Sequence, residues 1–173
     1  AMMLSSLNNL GYAVEWRVIN AGDYGMPQRR RRVFILGYYK NSKLYKNMKK
    51  TDVSSWIHKE GVFAKQFTVE QPNSLFLTED FELDSNLKKV SDNFNLENQN
   101  KKFKNAGIMM DGKVTTAQTK PVFRGKGTTL RDVLEKNKVD EEFYINDEDL
   151  ERWKTEKGAK SKIRTKGEFT YEW

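Results

Sequence analysis

The sequence predicts an α/β arrangement of helix, strand, long loop and strand, followed by a smaller region of mixed α+β character. Three observations carry this. Apolar residues near the start recur at helical spacing. Two later runs change to the alternating or continuous apolar pattern of strands. Beyond residue 50, short strand-like and helix-like stretches are separated by turn residues.

The elements follow in order. Met2, Met3, Leu7 and Leu10 share one helical face and Gly11 follows where a left-handed cap stops a helix, so Met2 to Leu10 is expected to be helical. A helix that opens at the first residues reads as part of a longer chain. Ala13 to Ile19 alternates Val14, Trp16 and Val18 against Glu15 and Arg17, the period of a half-buried strand. Asn20 to Gln28 is loop. Arg32 to Tyr39 is a second strand, more uniformly apolar and therefore expected to be more deeply buried. This piece is too small to cover both faces of an α/β sheet, so a larger body is expected beside it.

Past Lys40 the pattern changes. Thr51 or Asp52 caps a short helix carrying Val53, Trp56 and Ile57, and Phe63 to Val69 suggests a brief strand. Residues 84–102 are rich in Asn, Lys and Ser and read as an exposed loop. Ile108 to Met110, the pair Asp111-Gly112 and Lys113 to Thr116 read as a hairpin. Thr129 stands three residues before Asp132, and Asn146 three before Asp149, so each starts a helix with its own cap. Trp16, Trp56 and Trp153 fall at core positions of these elements.

Composition narrows the function classes. The chain has 173 residues, a net charge of +7, 37% hydrophobic and 32% charged residues, which favours an acidic partner such as nucleic acid. No apolar run approaches the roughly 20 residues of a membrane span, and no secretory signal opens the chain, so a cytoplasmic location is expected. There is no cysteine, so disulfides, thiolate metal sites and a thiol nucleophile are excluded from this polypeptide. His58, the single histidine, lacks a second imidazole or acidic cluster nearby and reads as a surface or helix-end residue.

One junction stands apart. In YGMPQRRRRVFILG, residues 24–37, Pro27 and Gln28 lead four arginines, Arg29 to Arg32, into an apolar strand. Guanidinium groups packed side by side repel one another unless an anion arrives to bridge them. From Tyr24 to Thr51 there is no Asp or Glu to pair with them, while Lys40, Lys43, Lys46, Lys49 and Lys50 extend the positive stretch. Side chains of an extended segment alternate, so Arg30 and Arg32 should face one way and Arg29 and Arg31 the other. A solvated basic face is the alternative, and the apolar continuation argues against it.

Other patterns carry less. Residues 125–129, GKGTT, resemble a phosphate loop, but Lys120 stands at the first glycine's place and Gly127 follows the lysine, so a nucleotide site is rejected. The acidic start of the last helix reads as a cap rather than a metal site. Lys101, Lys102, Lys104, Lys120, Arg124 and Lys126, scattered among short strands, together with Arg29 and Arg31, are candidate contacts to a nucleic-acid backbone.

The stretch GYAVEWRVINAGDYGMPQRRRRVFILGYY resembles the segment of DNA cytosine-5 methyltransferases that contains the QxRxR motif, here Gln28, Arg30 and Arg32 within the context Asn20 to Gln28. TTLRDVLE and EEFYINDEDLERWKTEKGAK more loosely resemble the family's recognition domains. Arg31 departs from the pattern, since relatives often carry Glu there.

The resemblance implies a terminal helix-strand-strand piece of a Rossmann-like methyltransferase sheet over residues 1–50, followed by an incomplete target-recognition domain over residues 51–173. It implies catalytic-site roles for Arg32, Arg30 and Gln28, with double-stranded DNA and the remainder of the catalytic domain as partners. S-adenosylmethionine would be the cofactor of the complete enzyme, bound by residues outside this chain. The family's donor glycine loop, proline-cysteine nucleophile and ring-protonating glutamate have no counterpart, so the polypeptide alone is expected to be inactive. The competing expectation is a stand-alone basic nucleic-acid-binding module.

Overall fold

The computed structural model describes residues 1–71, 78–93, 103–157, 163–166 and 169–172, and the chain divides into two compact units, Ala1–Val133 and Leu134–Trp173. The first is built on a five-stranded sheet. Helix α1 (Met2–Asn9) leads into β1 (Tyr12–Asn20), a single 3-10 turn (Ala21–Tyr24) and β2 (Arg31–Tyr39). Helices α2 (Lys43–Lys50), α3 (Val53–Ser55) and α4 (Val62–Gln66) follow, then β3 (Thr78–Glu82), α5 (Leu87–Asp92), the hairpin of β4 (Ala106–Met110) and β5 (Lys113–Ala117), and α6 (Leu130–Val133). The strand order is β2-β1-β4-β5-β3, and every pairing is antiparallel.

The sheet is covered on both faces. On one, Leu4 of α1 packs with Val14, Trp16, Met109 and Val114, joined by Phe81 and Phe103. On the other, Tyr45 and Met48 of α2 and Trp56 and Ile57 pack on Ala13, Tyr38, Ala106 and Ile108. Local chemistry fixes the ends of these helices. Ser42 caps α2 by accepting from Tyr45 N at 3.1 Å, and Asp52 caps α3 by accepting from Ser55 N at 2.9 Å. The β4–β5 turn has φ of 51° at Asp111 and 79° at Gly112, the two positive angles of a tight hairpin turn that matches strand twist. Tyr45 donates to Asp111 at 2.7 Å, and that bond, with burial behind it, pushes the phenol up to about 12.

Several expectations are corrected. Glu15 and Arg17 are 1% and 2% exposed, so β1 is buried on both faces rather than one. Conversely β2 is a sheet edge, and Val33 and Ile35 are 59% and 37% exposed, because α1 packs mainly on β1 and β4. The expected strand at Phe63 to Val69 is instead helix α4 followed by a single bridge from Val69 to Pro121. Gly61 turns the chain into that helix, and Phe63 N at its start donates to the buried Glu15 carboxylate at 3.4 Å. Part of the expected loop at 84–102 is α5, whose cap Asn86 accepts from Lys88 N and Lys89 N; its last residues lie outside the described ones. His58 is buried, not superficial, with Nδ1 2.7 Å from Ser54 O at a π-turn that closes through Gly61 N to Trp56 O.

The second unit holds a 3-10 turn (Glu141–Phe143), α7 (Asp147–Lys157) and the two-stranded ribbon of β6 (Ile163–Lys166) and β7 (Phe169–Glu172). Asn146 caps α7 by accepting from Asp149 N at 2.9 Å. Trp153 is 40% exposed rather than in a core, since so small a unit has little apolar surface to bury it.

Candidate nucleic-acid interface

The β1–β2 register sets the direction of each arginine. Arg32 lies opposite Ile19 and Arg31 opposite Asn20, so the two side chains leave on opposite faces of the sheet. Just before the strand, Ala21 N donates to Arg30 O at 3.1 Å, which carries the ladder one step into the loop. The loop itself is tied by Asn20 Nδ2 donating to Asp23 at 2.9 Å and by Met26 N donating to Ala21 O at 3.2 Å.

The result is two separate hollows. Gln28, Arg30, Arg32 and Phe34 line one of about 270 Å³, whose wall is completed by Ile19, Ala21, Tyr24, Met26 and Phe67. Arg31 lines another, of about 430 Å³, with Asn20, Asp23, Gln118 and Lys120. Arg29 lines neither. All four guanidiniums are exposed, and among the described residues no carboxylate pairs with any of them. Arg32 Nη1 donates to the Arg31 carbonyl at 2.7 Å, which leaves most of its donors open.

The first hollow has an aromatic wall beneath its cationic rim. Phe67 stacks near Phe34, with centroids 6.4 Å apart and planes 25° from parallel, and meets Tyr24 edge-on at 5.2 Å. Phe67 is held from behind, since Arg17 Nη1 donates to its carbonyl at 3.0 Å and Nη2 donates to Ile57 O. Burial pulls the Arg17 guanidinium below its ordinary range, and Glu15 beside it pulls the other way. Glu15 in turn accepts from Tyr38 at 2.7 Å and from Trp56 Nε1 at 3.1 Å. Burial raises the Tyr24 phenol, so it stays protonated and donates to Thr68 O at 3.3 Å. A flat apolar wall under two guanidinium forks suits a planar, hydrogen-bonding ring attached to a phosphate chain.

The remaining basic residues are dispersed. Arg124 lines a neighbouring cleft of about 970 Å³ with Lys59 and Lys65, and Tyr24 and Phe67 form a wall common to cleft and hollow. Lys120 lies 3.8 Å from Glu70, and Lys104 pairs with Glu79 at 2.7 Å, far more enclosed than a backbone contact needs to be. Lys126 is exposed on a loop, and Lys101 and Lys102 lie outside the described residues.

Sequence reasoning missed the aromatic wall. Phe34 follows Arg32 by two positions, so the same alternation that grouped the arginines also placed it there. Phe67 carried no local signal, because only the fold of α3 and α4 over β1 brings it near.

Residues 1–172 match the family described as C-5 cytosine-specific DNA methylase. The chain belongs to this family. The type II methyltransferase M.Sau3AI of Staphylococcus aureus is 39% identical over 165 residues, covering 95% of this chain and 38% of that protein. Shorter matches include M.MthTI of Methanothermobacter thermautotrophicus, 56% identical over 36 residues, and M.NlaIV of Neisseria lactamica, 45% identical over 40 residues. These cover 21% and 23% of this methylase chain, and 11% and 10% of the two proteins. No solved structure matches the chain significantly. This methylase sequence therefore spans well under half the length of M.Sau3AI. Among the described residues, no helix is long and apolar enough to cross a membrane.

Proposed function

We propose that this chain is the part of a DNA (cytosine-5) methyltransferase that receives the target base, with Arg32 hydrogen-bonding the flipped cytosine, Arg30 holding an adjacent phosphate and Gln28 bracing the loop. The observation that carries this is the convergence of Gln28, Arg30 and Arg32 with Phe34, Tyr24 and Phe67 around one hollow of about 270 Å³. A cytosine must leave the duplex to be reached, at a cost of a few kcal/mol in stacking and pairing. Aromatic contact and two cationic forks offset that cost in this hollow. Residues 51–173 supply the recognition side, reading double-stranded DNA through the major groove.

The chemistry itself needs partners. Carbon 6 of cytosine must be attacked by a thiolate before carbon 5 can accept a methyl group, and this chain has no cysteine. The polypeptide alone is thus inactive, and the remainder of the catalytic domain provides the nucleophile. That body also covers the outer edge of β2, where Val33 and Ile35 stand exposed beside backbone that no described strand pairs. S-adenosylmethionine, the family's methyl donor, does not fit the hollow: a sulfonium cation is repelled by Arg30 and Arg32.

The test is Arg32→Ala in the complete enzyme. Methyl transfer at saturating DNA should fall by about 100-fold or more while duplex affinity changes only a few-fold. Equal losses in both would remove the base-contact role.

A further inference from the structure

The segment 120–129, which contains the rejected phosphate-loop look-alike, closes onto the turn that presents the arginines. Residues 68–70 and 120–122 run side by side: Val122 N donates to Thr68 O at 2.9 Å, Glu70 N donates to Lys120 O at 2.9 Å, and Thr68 Oγ1 donates to Val122 O at 2.5 Å. From there the chain crosses to the Tyr24-Gly25 turn, and Thr128 N donates to Gly25 O at 2.7 Å. Between these two attachments sits Phe123. Its ring lies so close to two glycines that a Cβ on Gly25 would stand 2.3 Å from Cε1, and one on Gly125 would stand 2.4 Å from Cζ. Gly25 also has φ of +82°, which side chains of L-residues rarely adopt. A 45% exposed phenylalanine fitted into a notch between two glycines is not core packing.

We propose that Phe123, seated between Gly25 and Gly125, is a positioning residue: with the Thr128 to Gly25 bond it clasps the Tyr24–Gln28 turn so that Arg30 and Arg32 keep the geometry that captures the flipped base. Tyr24 and Met26 of that turn line the hollow directly, so any rocking of the turn moves the wall of the site. The clasp comes from the C-terminal side of the β4–β5 hairpin, so it links the recognition side of the chain to the base hollow through a few atoms. This deepens the reading above and rests on it. Displacements of about 1 Å in such a site cost on the order of 100-fold in rate.

The experiment uses the complete methyltransferase and a duplex with 2-aminopurine at the target position, whose emission rises when the base leaves the stack. Phe123→Ala should lower kcat by about 10- to 100-fold and reduce the emission at saturation, with duplex affinity within about twofold of the parent. Gly125→Ala is the second variant: it pushes the ring from its notch without touching Gly25, whose φ it leaves alone, and should act in the same direction. Unchanged kcat and emission in both variants would overturn the clasp, as would losses of affinity as large as those of kcat. Arg32→Ala, measured beside them, separates the two ideas. If it abolishes transfer while both clasp variants behave as parent, only the clasp fails; if it leaves transfer intact, the base-site reading itself fails.

Discussion

Strands β1 and β2 lie side by side and invert what their compositions suggest. β1 carries Glu15 and Arg17 and is buried on both faces; β2 carries the run Val33 to Leu36 and leaves much of it in solvent. Place in the sheet decides this. β1 has neighbours on both sides and helices over both faces, so its charged side chains turn to internal groups: Glu15 accepts from Tyr38 and Trp56, and both Nη atoms of Arg17 donate to carbonyls. Among the described strands β2 has one neighbour, and α1 packs mainly on β1 and β4. A strand that carries charges can thus lie at the buried centre of a sheet, while the apolar strand beside it stays exposed, with four exposed arginines at its entrance.

The strongest way to break this contrast is Arg17→Ala. The guanidinium satisfies two carbonyls, of Ile57 and Phe67, on the segment that covers β1, and its loss leaves both without their donor and removes a positive charge that interacts with Glu15. Removing one member of such a buried set costs about 3–5 kcal/mol, read by denaturant unfolding of this chain. A loss under about 1 kcal/mol would mean that Arg17 does not hold the segment over β1. Next comes Tyr38→Phe, on the inward face of β2, which deletes the 2.7 Å donor to Glu15 and should cost about 1.5–3 kcal/mol. Burial first, and then Glu15, hold the Tyr38 phenol above its ordinary range. A raised phenol adds stability below the unfolded pKa near 10 that disappears as pH rises further, so the variant should also soften the alkaline loss of stability.

Much of this fold was legible in the residues. The C-terminal end of α1, the Asp111-Gly112 turn and the Asn146 cap each depend on a local rule that a few neighbouring residues satisfy. The opposite directions of Arg31 and Arg32 follow from strand alternation alone. What could not be read was set by distant contacts. The alternation of Val14, Trp16 and Val18 against Glu15 and Arg17 is the same whether the charged face meets water or meets Trp56, Tyr38 and Ile57. Likewise, a continuous apolar run at β2 marks a surface destined for burial without naming the body that covers it. Phe67 entered the site only through the folding of residues 53–67 across β1.

His58 gives a pH test of that covering segment. Desolvation lowers its pKa below the ordinary imidazole value, the Ser54 carbonyl opposes this, and Arg17 acts in the same direction as burial. The unfolded chain therefore binds a proton more readily than the folded one. Stability should be full above about pH 6.5 and should decline as pH falls through and below that value. Unfolding measured at about pH 8 and about pH 5 should show a decline in the parent that His58→Gln reduces. The same decline in both would assign it to other groups.

The smallest expected effect is the sharpest on β2. Val33→Thr keeps the shape of a residue that is 59% exposed and adds a hydroxyl that water can reach, so the isolated chain should change stability by no more than about 0.5 kcal/mol. In the complete enzyme, where the proposed remainder of the catalytic domain lies on that edge, the hydroxyl is taken from water without a partner and the cost should rise to about 1–3 kcal/mol. The quantity that matters is the difference between the two backgrounds, since any intrinsic preference of Thr for an edge strand cancels from it. Equal small effects in both would leave the β2 face open in the full protein, and the apolar run would then need another occupant.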